Sequence, residues 1–124
     1  MTFREILHRM VDQTPGARGA AVVDAEGIAL EEYAKGPDLD LAGLAVEFQE
    51  VLGQAAKVAG AALEGAALSE LTLRAGDQQL LLRRIDDEFV LILVLRHDGI
   101  LGKARYLCDL LLPDLRSSLA TSAL

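Results

Sequence analysis

The run Phe89 to Leu95, FVLILVL, constrains this chain more than any other stretch. Side chains alternate across an extended backbone, so an unbroken apolar run presents hydrophobic groups to both faces of a strand. Such a strand belongs in the middle of a sheet covered on both sides. The same run is the longest uncharged apolar stretch and falls far short of the roughly 18 residues needed to span a bilayer, so no membrane insertion is expected. At 124 residues the chain has room for one domain, 1–124, built around one such sheet.

The remaining elements follow from periodicity and turn residues. TFREILHRMVDQ puts Phe3, Ile6, Leu7, Met10 and Val11 on one helical face, and Thr2 with Glu5 has capping-box spacing, which predicts a first helix over 1–14. The stretch PGARGAAVVDAEGIALEEY, Pro15 to Tyr33, reads as a hairpin over 19–34 turning at Glu26-Gly27. After Gly36-Pro37, Asp38 or Asp40 caps a long helix over 40–64. Glycine turns at Gly76-Asp77 and acidic residues at Asp86-Asp87-Glu88 divide 68–95 into a three-strand meander whose alternating first strand lies at an edge. A last helix covers 99–120, kinked or interrupted at Pro113 because proline lacks the helical donor.

The long helix carries three stripes. Leu41, Leu44, Phe48, Leu52, Ala55, Ala59 and Leu63 are bulky enough to lie on a sheet. Ala42, Val46, Gln49, Gly53, Ala56 and Gly60 form a small-residue stripe that lets another backbone come close, and Glu47, Glu50, Gln54, Lys57 and Glu64 form a wet one. This is a helix pinned between its own sheet and a neighbour.

Composition bears on the partner. Hydrophobic residues make up 52% and mean hydropathy is +0.29, more apolar surface than one small core needs, which points to protein contacts beginning with self-association. Twelve basic against nineteen acidic residues give a net charge of −7 with no basic stripe, so no nucleic acid and no anionic membrane surface is expected as a partner. The N-terminus MTFREILHRM interleaves charges with apolar residues and lacks signal-peptide organisation, predicting a cytoplasmic protein.

Chemistry is sparse. Cys108 sits in an apolar helical pattern and reads as a buried structural thiol. His8 and His97 have no second ligand at metal-binding spacing. GILGKA lacks the first glycine and the Ser/Thr of a phosphate loop, and the carboxylates Glu31-Glu32 and Asp86-Asp87-Glu88 fall at a strand end and a turn, where solvated charge is the default. No catalytic, metal or cofactor site is expected, and hence no enzyme.

Taken in order, PGARGAAVVDAEGIAL, GAALEGAALSELTLRAGDQQLLLRRIDDEFVLILVL and GILGKARYLCDLL resemble the first hairpin, the long-helix end with its meander, and the closing helix of the roadblock/dynein light chain family, in particular its bacterial, MglB-like members. The resemblance implies an α+β fold ordered helix-strand-strand-helix-strand-strand-strand-helix. Its five-stranded antiparallel sheet has the long helix on one face and the terminal helices on the other, an architecture shared with profilin and longin domains. It also implies a homodimer formed by pairing third strands and long helices, and a non-catalytic role binding a small Ras-like GTPase, as an activator of GTP hydrolysis or as a scaffold.

On this chain the dimer surface expected is Val46, Gln49, Gly53, Ala56 and Gly60 with Glu70, Leu71, Thr72, Leu73 and Arg74. An antiparallel pairing about Thr72 sets Glu70 opposite Arg74 of the second copy. Glu47, Glu50, Gln54 and Lys57, with the loop at Gly36-Pro37, form the expected GTPase platform, acting by reshaping the GTPase rather than through Arg18 or Arg96 as an inserted arginine. The competing readings are a PAS-like sensory domain holding a small ligand and a purely structural light-chain subunit.

Overall fold

The computed structural model describes residues 1–122. The order is α1 Phe3–Gln13, β1 Ala17–Val23, β2 Ala29–Ala34, α2 Leu41–Ala62, β3 Glu70–Ala75, β4 Gln78–Arg84, β5 Val90–Arg96 and α3 Leu101–Ser122. The strands form one antiparallel sheet in the order β2-β1-β5-β4-β3, so the apolar run at Phe89 to Leu95 supplies the central strand and β3 is an edge.

The alternation of β5 divides the interior into two cores. Leu91, Leu93 and Leu95 face Ile6, Leu7, Met10 and Val11 of α1 and Leu107, Cys108, Leu111 and Leu115 of α3. Val90, Ile92 and Val94 face Leu41, Ala45 and Leu52 of α2. Ile92 and Leu93 are fully enclosed, one in each layer.

Local chemistry sets the element ends. Thr2 caps α1, its hydroxyl accepting from Glu5 N–H at 3.2 Å. The β1–β2 turn is an Asx turn in which Asp24 Oδ1 accepts from the N–H groups of Glu26 and Ile28, both at 3.0 Å, and Gly27 takes φ +83°. Asp40 caps α2 by accepting from Gly43 N–H at 3.0 Å.

Several bounds differ from those expected. β1 starts at Ala17 rather than Gly19 because its ladder with β5 continues past an irregularity to Ala17↔Leu95. α2 ends at Ala62 rather than Glu64: Glu64 and Gly65 turn left-handed, at φ +57° and +79°, and Gly65 N–H donates back to Gly60 O at 2.8 Å. β3 begins at Glu70 rather than Leu68, whose carbonyl accepts from the Arg84 side chain instead. α3 starts at Leu101 because Gly99 closes a turn, donating to Arg96 O at 2.9 Å. The interruption expected at Pro113 is absent; α3 runs through it, held to the sheet by buried Leu111 and Leu112 before it and Leu115 and Leu119 after it.

One polar side chain is buried on purpose. Gln79, 4% exposed, donates to the carbonyls of Arg96, His97 and Gly99 at 3.0, 3.3 and 3.0 Å and accepts from Arg74 Nη2 at 3.2 Å. It ties the edge strand to the β5–α3 turn, so its burial is matched by hydrogen bonds.

Candidate interaction surface

The exposed surface begins at β3, whose pairing with β4 is regular from Glu70↔Arg83 to Ala75↔Gln78. Arg84 N–H donates to Ser69 O at 2.9 Å. Hydrogen-bonded pairs recur at every second residue of an antiparallel ladder, so Leu71 and Leu73 direct their backbone groups at β4, while Glu70, Thr72 and Arg74 direct theirs to the open side. The side chains divide similarly: Leu71 and Leu73 pack on the α2-side core, and Glu70 reaches α3, where Arg105 Nε donates to it at 2.9 Å.

The charges of this strand are engaged within the chain. Glu70 accepts from Arg83 at 3.2 Å as well as from Arg105, and Arg83 also pairs with Asp109. Arg74 is held by Gln79. A Glu70–Arg74 pair between two chains would therefore compete with existing partners.

α2 is covered unevenly. Leu41, Ala45 and Leu52 are buried, and Leu44 and Phe48 pack beside them. Beyond Leu52 no residue of α2 is buried, although Val58 is 64% exposed and Leu63, just past the helix, 63%. The buried part of the bulky stripe thus ends at the middle of the helix, and Leu63 does not reach the sheet as expected from spacing. Ala45 belongs to the buried face although the spacing omitted it.

The small-residue stripe is divided. Its first part faces the chain's own hairpin turn: Gln49 Nε2 donates to Ala25 O at 3.4 Å, and a Cβ on Gly27 would lie 2.8 Å from Val46 Cα. In its second part Gly53 is exposed and Ala56 and Gly60 are half-buried, with nothing within 4 Å of a Cβ placed on Gly53 or Gly60. Glu47, Glu50, Gln54 and Lys57 are all exposed and share the solvent side of α2.

A cleft of about 340 Å³ opens where β1 starts and β2 and β5 end, lined by Gly16, Arg18, Lys35, Gly36, Asp38 and Arg96 among others. Neither arginine extends as a free arm. Arg18 Nη1 donates to Gln78 Oε1 at 2.9 Å, and Arg96 is bound twice by Asp98, at 3.2 and 3.4 Å. This gathering of strand ends was invisible in the sequence, where Arg18, Lys35 and Arg96 are far apart.

Among the described residues, no group of three or more His, Cys, Asp or Glu could hold a metal ion, and no helix is long and apolar enough to cross a membrane. Burial pushes the Cys108 thiol up to about 12, partly offset by Arg83, so it stays protonated and unreactive at neutral pH. His8 stacks on Tyr33 at 3.7 Å, and Tyr33 donates to Asp12 at 3.1 Å, ties that fasten α1 to β2.

Residues 3–96 match the model of the Roadblock/LC7 domain. Among solved structures, MglC from Myxococcus xanthus is 30% identical, with a TM-score of 0.66 over 94% of this chain and 98% of that one. A Roadblock/LC7 domain from Streptomyces avermitilis superimposes with a TM-score of 0.86 at 12% identity, covering 97% of this chain and 99% of the other. An MglB with a tetrameric arrangement gives a TM-score of 0.85 at 22% identity over 98% of this chain and 89% of that chain. The latter two are likenesses of fold. No curated protein matches the sequence.

Proposed function

The chain belongs to the Roadblock/LC7 domain family, and from that premise we propose that it is a homodimeric, non-catalytic module that binds and regulates a small Ras-like GTPase. The observations that carry the dimer are the half of α2 beyond Leu52, in which no residue is buried, and the open edge of β3, whose Leu71 and Leu73 face the same side of the sheet as α2. An apolar helical surface without cover and a strand with unpaired backbone groups are satisfied together when a second copy adds its own β3 and α2 across a two-fold axis. Because only Glu70, Thr72 and Arg74 offer outward backbone groups, they pair among themselves, and a two-fold at Thr72 satisfies this parity. Leu71 then meets Leu73 of the second copy beneath the two helices, and the register rests on backbone pairing more than on Glu70 and Arg74, which already have partners.

The open part of the small stripe supplies a test of sign. In the single chain Gly53→Ala should stabilise α2 by about 0.5–1 kcal/mol, since alanine is the better helix former and the space is empty. Against a neighbouring helix backbone the added methyl intrudes, and the dimer should dissociate about tenfold more readily by sedimentation. A variant that is more stable and equally dimeric would remove Gly53 from the interface.

The GTPase is expected on the wet stripe. Glu47, Glu50, Gln54 and Lys57 of two paired helices make a two-fold, largely acidic surface that steers a partner with a basic face. Activation by reshaping is favoured over an arginine inserted in trans, because Arg18 and Arg96 are both tied down. The experiment is a pull-down and single-turnover GTP hydrolysis with a small GTPase encoded beside this gene. Glu47→Lys with Glu50→Lys should weaken binding by about tenfold or more while leaving the dimer intact. Unchanged binding would move the platform elsewhere. Family membership favours this reading over a PAS-like sensor; a scaffold role would appear as binding without stimulated hydrolysis.

A further inference from the structure

We propose that the cleft between the ends of β1, β2 and β5 is a binding site for a small polyanion bearing phosphate or carboxylate groups. The ligand is distinct from the GTPase partner, although Gly36 of the cleft belongs to the loop expected to border the GTPase platform, and the site does not depend on the dimer.

The chain has a net charge of −7, yet this cleft draws Arg18, Lys35 and Arg96 together around a single lining carboxylate, Asp38. A cationic concavity on an anionic protein concentrates field where a small anion can enter, and its volume of about 340 Å³ lies in the range of small-molecule sites.

The walls are built before any ligand arrives. Lys35 N–H donates to Arg18 O at 2.9 Å, fixing the end of β2 beside β1. The loop that follows is seated on the sheet so closely that a Cβ on Gly19 would lie 2.9 Å from Leu39 Cδ2. Arg18 leans on Gln78 through one nitrogen, and Arg96 is oriented by Asp98, so both guanidinium groups are aimed while retaining donors for a ligand. Gly36 puts no side chain over the opening, and a Cβ there would meet nothing within 4 Å.

Charge and donors together select the ligand class. Three cations against Asp38 leave the lining two positive charges in excess, and Asp98 already shares Arg96. With Asp98 counted, one positive charge stays in excess, so the donors select the ligand: an ion with several acceptor oxygens engages Arg18, Lys35 and Arg96 together, which a single-oxygen anion does not.

Inorganic pyrophosphate and citrate serve as probes for the phosphate and carboxylate classes, titrated at constant ionic strength with backbone amide NMR as the readout. At least one should bind with one-to-one stoichiometry and shift the amides of Ala17, Arg18, Lys35, Gly36 and Asp38. Arg18→Gln should weaken that binding about tenfold or more, and so should Lys35→Gln, whose exposed side chain can be exchanged without disturbing the fold. The proposal is overturned if neither probe binds, if the shifts scatter over Arg4, Arg83 and Arg105, or if both variants bind like the parent. Capture of a Glu-rich peptide where both small ions fail would also overturn it, by giving the cleft to a protein partner. GTPase binding is scored separately, so failure of either reading leaves the other standing.

Discussion

A Thr72→Pro variant should remain folded and sediment as a single chain at concentrations where the parent chain is dimeric. The N–H of Thr72 points away from β4, so the substitution takes no hydrogen bond from the chain's own sheet, and an outward-facing edge position is where proline is tolerated. At a two-fold centred on this residue the same change removes two hydrogen bonds and sets two pyrrolidine rings against each other. Lost bonds and overlap together amount to about 2–4 kcal/mol, roughly 30- to 700-fold in dissociation constant. Sedimentation velocity paired with thermal unfolding separates the two effects. A dimer that survived the proline would place the interface elsewhere, whereas a collapse in unfolding temperature at high dilution would mean that Thr72 supports its own domain.

Gly16→Ala should be the most damaging small change in the chain. Gly16 takes φ +81°, and a Cβ there would sit 2.4 Å from Gly99 Cα and 2.9 Å from Gly99 N. Both clashing atoms are backbone, so no rotamer change relieves them. The turns on either side are also cross-linked: Arg96 N–H donates to Gly16 O at 2.8 Å and Ile100 N–H to Pro15 O at 3.0 Å. Left-handed strain and forced separation of these turns should cost about 2–5 kcal/mol, a large share of the roughly 5–15 kcal/mol that holds a domain together. Denaturant unfolding measures it, with Gly36→Ala as the control, since the space there is empty and the change should fall within about 0.5 kcal/mol. Equal effects of the two substitutions would dismiss the steric account.

The fold was legible because its strongest signals are local and redundant. FVLILVL requires a central strand whichever neighbours it has, and Thr2, Asp24 and Asp40 mark starts and turns through hydrogen bonds to backbone a few residues away. Helix length was less legible. Leu63 keeps the period of the bulky stripe yet caps the helix just before a left-handed turn and stays exposed, because periodicity records which side of a helix is apolar and not where the sheet beneath it stops. Of the kink or interruption expected at Pro113, the interruption is absent, because its local penalty is outweighed by leucines buried on both sides of it. Glu47, Glu50, Gln54 and Lys57 are exposed as their spacing predicts, but the docking of Gln49 on Ala25 and the capture of Glu70 by Arg83 and Arg105 join residues distant in the chain. The meeting of Arg18, Lys35 and Arg96 is of the same kind, being a product of strand order alone.

The two borders of the sheet differ in a way that decides how large an assembly can grow. β3 keeps an unbroken ladder with β4, an inviting template. β2 carries Glu31 and Glu32, and a register shift between Val22 and Val23 distorts its pairing with β1. Like charges and irregular pairing discourage the addition of another strand. When two chains meet through β3, each contributes its receptive border and only the blunt ones are left facing outward. In the proposed dimer growth terminates at that step, and a sequence whose central strand would be an amyloid hazard if laid bare is kept to a finite, closed pair.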